Sequence, residues 1–419
     1  MSMDIVLLRA RLRQSEDLWD IEVKDGRVAA IVKSGTHQHR VAETHDIGGR
    51  ILLPGFVDVH VHLDKAFQLP YLDVSASGHT GIQEALRTTA DLRASMSLDT
   101  IVENADRTLR LMVNGGTVAA RVHVEISAES DPAMVGVHRE LAKAHPEIHL
   151  ELAAFAQHGT TSCPEIHARM VRALNEGCSV VAGCPYADSD PIRHLDEMIA
   201  LAIEYDAPLD LHLDLSDDPE DLMLAEVVPR VEKAGLEGRV LIGHVTALTA
   251  VSPERVKELV AAASGAGISV VAIPTTDLFL SGRDQLSAPT RGVTRIEEFA
   301  AAGVPVALAS NNYENAFTPV SMPCLSQAAW LASLTNYMAT ADQQLTLLDG
   351  VTNIPRRVIQ SAVPGLAIGD LIGASVFDVD QAVDVVRSAA RPIELISAHR
   401  GVSVPDTFIR SNQEEHYGR

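Results

Sequence analysis

The hydrophobic positions along the chain fall into two alternating patterns. One is a short, continuous run of Val, Ile, Leu and Ala; the other is a longer segment with apolar residues at helical spacing that stops at Gly. Runs beginning at Val57, Val118, Leu150, Ser179, Leu209, Val240, Ser269 and Val306 predict eight strands. Segments 97–113, 164–175, 192–204 and 219–234 carry the 3.6-residue period of helices, and Ser252-Pro253 opens another that runs to residue 263. Thr294 followed by Glu297 predicts a capping box for a helix that ends before Val306. Fully apolar strands that alternate with helices are the mark of parallel strands covered on the outside. Eight such units predict an α/β fold, a closed (β/α)8 barrel of the TIM type, with its chemistry at the C-terminal ends of the strands.

The ends of the chain read differently. Residues 5–8, 19–23 and 28–32 are short strands, and Asp25-Gly26 between two of them is a hairpin turn. This segment is too small for a core of its own. It is expected to pair with strands near 374–377 and 392–396, which makes a small composite β-sandwich of residues 1–53 plus 365–419 around a barrel of residues 54–364.

Composition sharpens this picture. Apolar residues make up 46% of the 419 and aromatic ones only 4%, so the core is aliphatic. A net charge of −22 disfavours nucleic acid and anionic membranes as partners and suits a cytoplasmic protein. Cys163, Cys178, Cys184 and Cys324 have neither C-x-x-C spacing nor a dense framework, which reads as reduced thiols. The run 5–8 is too short for a signal h-region, and the longest uncharged run, 259–276, is broken by Gly265, Gly267 and Pro274, so no membrane span is expected.

The first barrel strand ends in His60-x-His62, and residues two apart on a strand face the same way. Two imidazoles with one direction can reach one ion of zinc, iron, cobalt or manganese. Alone this is a weak signal. The other strand ends, however, carry His123, Gln157, His212, His244 and Asn311-Asn312, so polar groups converge on one barrel mouth.

Six stretches follow one another in the chain: Pro54-Gly55-Phe56-Val57-Asp58-Val59-His60-Val61-His62-Leu63-Asp64, Ala154-Phe155-Ala156-Gln157, His212-x-Asp214, Ile242-Gly243-His244, Leu280-Ser281-Gly282-Arg283 and Arg291-Gly292-Val293-Thr294-Arg295. Together they resemble the amidohydrolase superfamily, and within it the cytosine deaminase-like branch that also holds N-isopropylammelide amidohydrolases. The resemblance implies a metal held by His60, His62 and His212, with His244 flanking the hydrolytic water or holding the substrate carbonyl and Gln157 on the ring or amide of the substrate. Strand four, 179–185, has no lysine to bridge two ions, so one divalent ion per chain is expected, zinc first. Asn312 is placed on the substrate and Asp214 among the proton carriers, and Lys65 is read either as the partner of a substrate carboxylate or as a solvated surface lysine. A small-molecule substrate and a homo-oligomer complete the expectation.

Two positions depart from the branch. Its strand-eight Asp is Asn311 here, which can offer an amide oxygen to a metal but cannot take a proton from water. Its proton-shuttling Glu, three residues after the strand-five His, is Leu215. General acid–base help is worth about 10²- to 10⁴-fold, so both losses weigh against ordinary ring deamination. The favoured reading is therefore a metal-dependent hydrolase that cleaves an amide, imide or cyclic-amide C–N bond of a small N-heterocycle through a metal-activated water. Deamination of an aminated heterocycle by a rewired site, and a non-catalytic binding protein on the same scaffold, are the alternatives.

Overall fold

The strands that the apolar runs predict are buried at almost every position, as parallel strands with helices outside must be. Phe56–Val61 and Thr117–Glu125 have no exposed residue. The structure, a computed structural model, describes residues 3–13, 15–36, 43–72, 81–161, 163–283, 285, 287–359 and 361–406. Its barrel sheet holds eight parallel strands in sequence order: Phe56–Val61, Thr117–Glu125, His149–Ala156, Val180–Gly183, Leu209–Leu213, Val240–His244, Ser269–Ala272 and Val306–Leu308. Barrel strands one and eight meet just past the last of these, where Val61 pairs with Asn311. Asn311 N donates to His60 O and His62 N donates to Asn311 O, both at 2.9 Å. The residue that closes the barrel is thus one of the departures noted above, and this pins its backbone between the two histidines of strand one.

The termini share one sheet, as expected. Ile51–Pro54 pairs antiparallel with Gly373–Phe377, and Glu394–Ser397 adds to the other edge of Gly373–Phe377. By hydrogen bonding it is a single eight-stranded sheet over its own apolar cluster, which includes Leu7, Ile21, Leu52, Val376 and Ile396. In the predicted hairpin, Leu18–Lys24 turns into Arg27–Lys33 through Asp25 and Gly26, both at positive φ, as a two-residue turn of this twist requires. Residues 407–419 of the expected C-terminal segment lie outside the described residues.

Helices form where the period placed them, with two corrections. The helix expected over 219–234 is a short 3-10 turn, Pro219–Asp221, followed by a helix over Leu224–Ala234. The break falls where Asp214 accepts from Met223 N at 2.7 Å and Leu224 N at 3.1 Å, which satisfies donors that a continuous helix would have used internally. The capping box at Thr294 does not form: the helix Ile296–Ala301 has no side-chain cap, and the Thr294 hydroxyl donates to His244 O at 2.7 Å instead. Among the described residues no helix is long and apolar enough to cross a membrane.

Candidate active site

The charged and polar groups of the barrel interior are stacked in two layers, because each strand places every second residue on the inner face. The deeper layer holds Asp58, Arg121, Glu151 and Asp210. Arg121 donates to Glu151 Oε2 at 2.7 Å, to Asp210 Oδ2 at 2.9 Å and to Val358 O at 3.1 Å, at 1% exposure. Two residues further along the same strands come His60, His123 and His212. Asp210 Oδ1 lies 3.3 Å from His123 Nε2, so the deep carboxylate supports the histidine above it.

The histidines form one cluster. The rings of His60 and His212 are 4.2 Å apart and those of His60 and His123 4.3 Å. Phe155 stacks on His212 at 4.2 Å. His62 Nε2 and His212 Nε2 face each other at 3.2 Å, against about 3.3 Å for two nitrogen ligands of one tetrahedral zinc. Burial holds His60, His62 and His212 well below the ordinary imidazole range, and the neighbouring His and Lys65 charges push the same way. They are neutral, the state a metal requires. Both ring nitrogens of His60 and Asn311 Oδ1 are buried without a hydrogen-bond partner among the described residues. Asn311 Nδ2 donates to Thr276 Oγ1 at 3.1 Å, which leaves that amide oxygen free. This donor set fits a divalent ion. A second set overlaps it, since the ligand atoms of His60, His123, Asp210 and His212 lie within 4.8 Å of one another.

The two sets differ in how far they reach open space: the first does so through His62, His212 and Asn311, the second through His212 alone. His62, His212 and Asn311 line a cavity of about 20 Å³ together with Lys65, Gln157, His244 and Asn312, whereas His60, His123 and Asp210 lie beneath it. The cavity holds about one water. Its cover is apolar: Ile82 and Leu86 of the helix Ile82–Ser95, with Tyr186, Leu215 and Phe317. Ile82, Tyr186 and Leu215 also line an outer cleft of about 870 Å³. Among the described residues they are the partition between cleft and cavity.

Lys65 is held at 1% exposure by opposite charge. Its Nζ lies 3.2 Å from Glu125 Oε2 and donates to Gln157 Oε1. Arg93 lies 3.3 Å from both Glu125 and Asp64. Burial alone would raise the Glu125 carboxyl, but Arg93 and Lys65 outweigh it and bring it down to about 2. With its oxygen on Lys65, Gln157 keeps Nε2 without a partner among the described residues. Asn312 Oδ1 accepts from Asn315 Nδ2 at 2.7 Å. His244 Nδ1 lies 2.7 Å from Asp277 Oδ1. Cys184 lines the cavity too, but burial pushes its thiol up to about 12, so it is no nucleophile.

The structure thus brings together His60, His62, His212, His244, Asn311, Gln157, Lys65 and Asn312. Asp214 is elsewhere: both its oxygens are on the helix at Met223 and Leu224, and it does not line the cavity. Burial pushes its carboxyl up to about 7, against the pull of those two N–H donors. Strand ends here are unusual in backbone as well, since Asp214, His244, Val245 and Asn311 all have positive φ. Val245 is the costly one, being β-branched. Sequence reasoning missed Arg93, Arg121, Glu125, Asp210 and Asp277. A charge two residues before a rim histidine, as in Arg121-x-His123 and Asp210-x-His212, was the available signal for the deep layer.

Comparison with known proteins gives the family. Residues 128–352 match the amidohydrolase family. The chain is 30% identical to a pterin deaminase of Rhizobium rhizogenes, over 71% of this chain and 68% of that protein. It is 23% identical to an N-isopropylammelide isopropyl amidohydrolase of Pseudomonas sp. (strain ADP), over 78% of each. The 5-methylcytosine deaminase of Klebsiella pneumoniae shares the fold with a TM-score of 0.89 at 24% identity, over 97% of this chain and all of that one. The chain belongs to the amidohydrolase family, whose members are metal-dependent hydrolases of C–N bonds.

Proposed function

We propose that the protein hydrolyses an amide, imide or cyclic-amide C–N bond in a small N-heterocyclic substrate, with one zinc ion held by His60, His62, His212 and the amide oxygen of Asn311. The observation that carries this reading is the neutral histidine cluster opening on a cavity whose other polar groups are Lys65, Gln157, His244 and Asn312. An ion at this place supplies a water of lowered pKa and polarises the scissile carbonyl. The chain's own residues do the rest. Gln157, fixed by Lys65, presents Nε2 as a donor to a ring nitrogen or carbonyl, and Asn312 adds a second donor. His244 moves the proton. Leu215, Ile82 and Phe317 keep water out once the cover is shut, which strengthens each polar contact inside.

Loss of an amino group from an aminated heterocycle is the second reading, favoured by the deaminases among the relatives. The rim ligands are proposed over the deeper set because a substrate can reach only the rim. Asp214 is proposed to act on the helix Leu224–Ala234 and not on the substrate. The boundaries 54–364 for the barrel and 1–53 with 365–419 for the terminal unit, a cytoplasmic location and a homo-oligomer stay part of the proposal. The test is elemental analysis of the wild type with His60→Ala, His62→Ala, His212→Ala and Asp210→Asn, followed by assay on cyclic amides, ureas and aminated heterocycles. One ion per chain, lost in the three histidine variants and kept in Asp210→Asn, is expected. Retention in His62→Ala with loss in Asp210→Asn would move the ion to the deeper set, and absence of any ion or turnover would overturn the reading. Free ammonia with the ring intact would favour the deaminase.

A further inference from the structure

We infer that Asp277 is the working partner of His244: it holds the imidazole with Nδ1–H on its carboxylate and Nε2 toward the cavity, and so supplies the proton capacity that Asn311 lacks. This rests on the hydrolytic reading above. Asp277 lies in the first turn of the helix Pro274–Leu280, directly after strand seven, and is fully buried. Its Oδ1 is 2.7 Å from His244 Nδ1. Backbone bonds fix it at both ends, Asp277 N to Ile273 O at 3.1 Å and Ser281 N to Asp277 O at 3.0 Å. His244 is fixed too, by the Thr294 hydroxyl on its carbonyl.

Elimination among the carboxylates leads to the same residue. Among the described residues no Asp or Glu lines the cavity. Glu125 is locked between Arg93 and Lys65, Asp210 is held by Arg121, and Asp214 is spent on a helix terminus. His123, the partner of Asp210, does not reach the cavity, whereas His244 does. Asp277 is therefore the carboxylate, among the described residues, that bears on the cavity through one imidazole. Asp277 touches no substrate and is a positioning residue. In the step it supports, water forms a C–O bond to the scissile carbon and gives one proton to His244 Nε2. The imidazolium is stabilised by Asp277 until the C–N bond breaks, when the proton passes to the departing nitrogen and His244 returns to neutral. A carboxylate in this place sets the tautomer and stabilises the charged ring.

The experiment uses the full-length, zinc-loaded chain with 15N-labelled histidine at about pH 8, where a free imidazole is neutral. His244→Gln assigns the resonances. Wild type is expected to show Nδ1 protonated and Nε2 bare, with the preference lost in Asp277→Ala and weakened in Asp277→Asn. Zinc content should be unchanged in both. On any substrate found in the panel above, kcat in Asp277→Asn should fall about a hundredfold or more with KM within a few-fold. A wild type protonated on Nε2 alone, or a tautomer that Asp277→Ala leaves unchanged, overturns the inference whatever the activity. A tautomer that shifts while kcat holds overturns it as well. Failure of the whole panel with the expected tautomer refutes the choice of reaction, not the pair.

Discussion

Asn311→Asp puts a charge where the fold already points a ligand. The backbone is pinned by the bonds to His60 O and from His62 N, and the side chain is oriented by its contact with Thr276 Oγ1. Its φ of 62° suits Asp as well as Asn. The contact to Thr276 survives if that hydroxyl turns to donate, which it can do because Thr318 Oγ1 lies beside it. Two unit charges 4 Å apart attract by about 4 kcal/mol at an effective dielectric constant of 20, and a dication doubles this to about 8. The burial cost of the carboxylate falls on folding, and what offsets the attraction on binding is the several kcal/mol needed to strip the ion of its own water. A net gain of at least about 1.4 kcal/mol remains, or tenfold tighter zinc. Without metal the same charge is buried at 2% exposure, so the metal-free variant should be less stable than wild type. Chelator competition measures the affinity, and denaturant midpoints with and without zinc measure the stability. Turnover is expected to fall, because a new negative charge opposes the developing oxyanion. Equal zinc affinity in the two proteins would show that residue 311 does not face the ion and would refute the placement of strand eight. A gain in turnover would instead mark the protein as an attenuated relative of an Asp-containing enzyme.

Three further outcomes follow from the same contacts. His244→Ala should keep its zinc yet lose at least about a hundredfold in kcat, and unchanged turnover would remove His244 from the mechanism. Arg121→Met leaves Glu151 and Asp210 buried without their cation, which should cost about 3–5 kcal/mol in a urea titration at neutral pH; a cost below 1 kcal/mol would mean these carboxyls are neutral in the fold. Glu125→Gln tests the pair with Lys65 and Arg93. The folded carboxyl lies near 2, below the unfolded value of about 4.3, so its stabilisation is complete above about pH 4.3 and is lost as pH falls toward 2. The stability gap between wild type and variant should be flat from pH 7 to 5 and shrink below that; a gap that widens on acidification would reverse the sign of the shift.

How far the sequence reached depends on the range of the interaction involved. Period and turn chemistry are local, so the eight strands, the Asp25-Gly26 hairpin and the common face of His60 and His62 were legible from neighbours in the chain. The need of a small N-terminal segment for partners predicted its pairing with residues 374–377, though not the register that sets Ser375 opposite Leu53. Some readings failed because a side chain had two possible uses. Thr294 could cap its own helix or hold strand six, and Asp214 could face the substrate or a helix end. Closure of the barrel decided both. It also set Asp277 beside His244 and Lys65 against Gln157 and Glu125, contacts between residues dozens of positions apart that no periodicity encodes. The sequence by itself determined which residues lie on the inner face of each strand, because alternation is a property of the single strand. Only the tertiary structure decided which of those groups meet, because that depends on how eight strands are staggered around one axis.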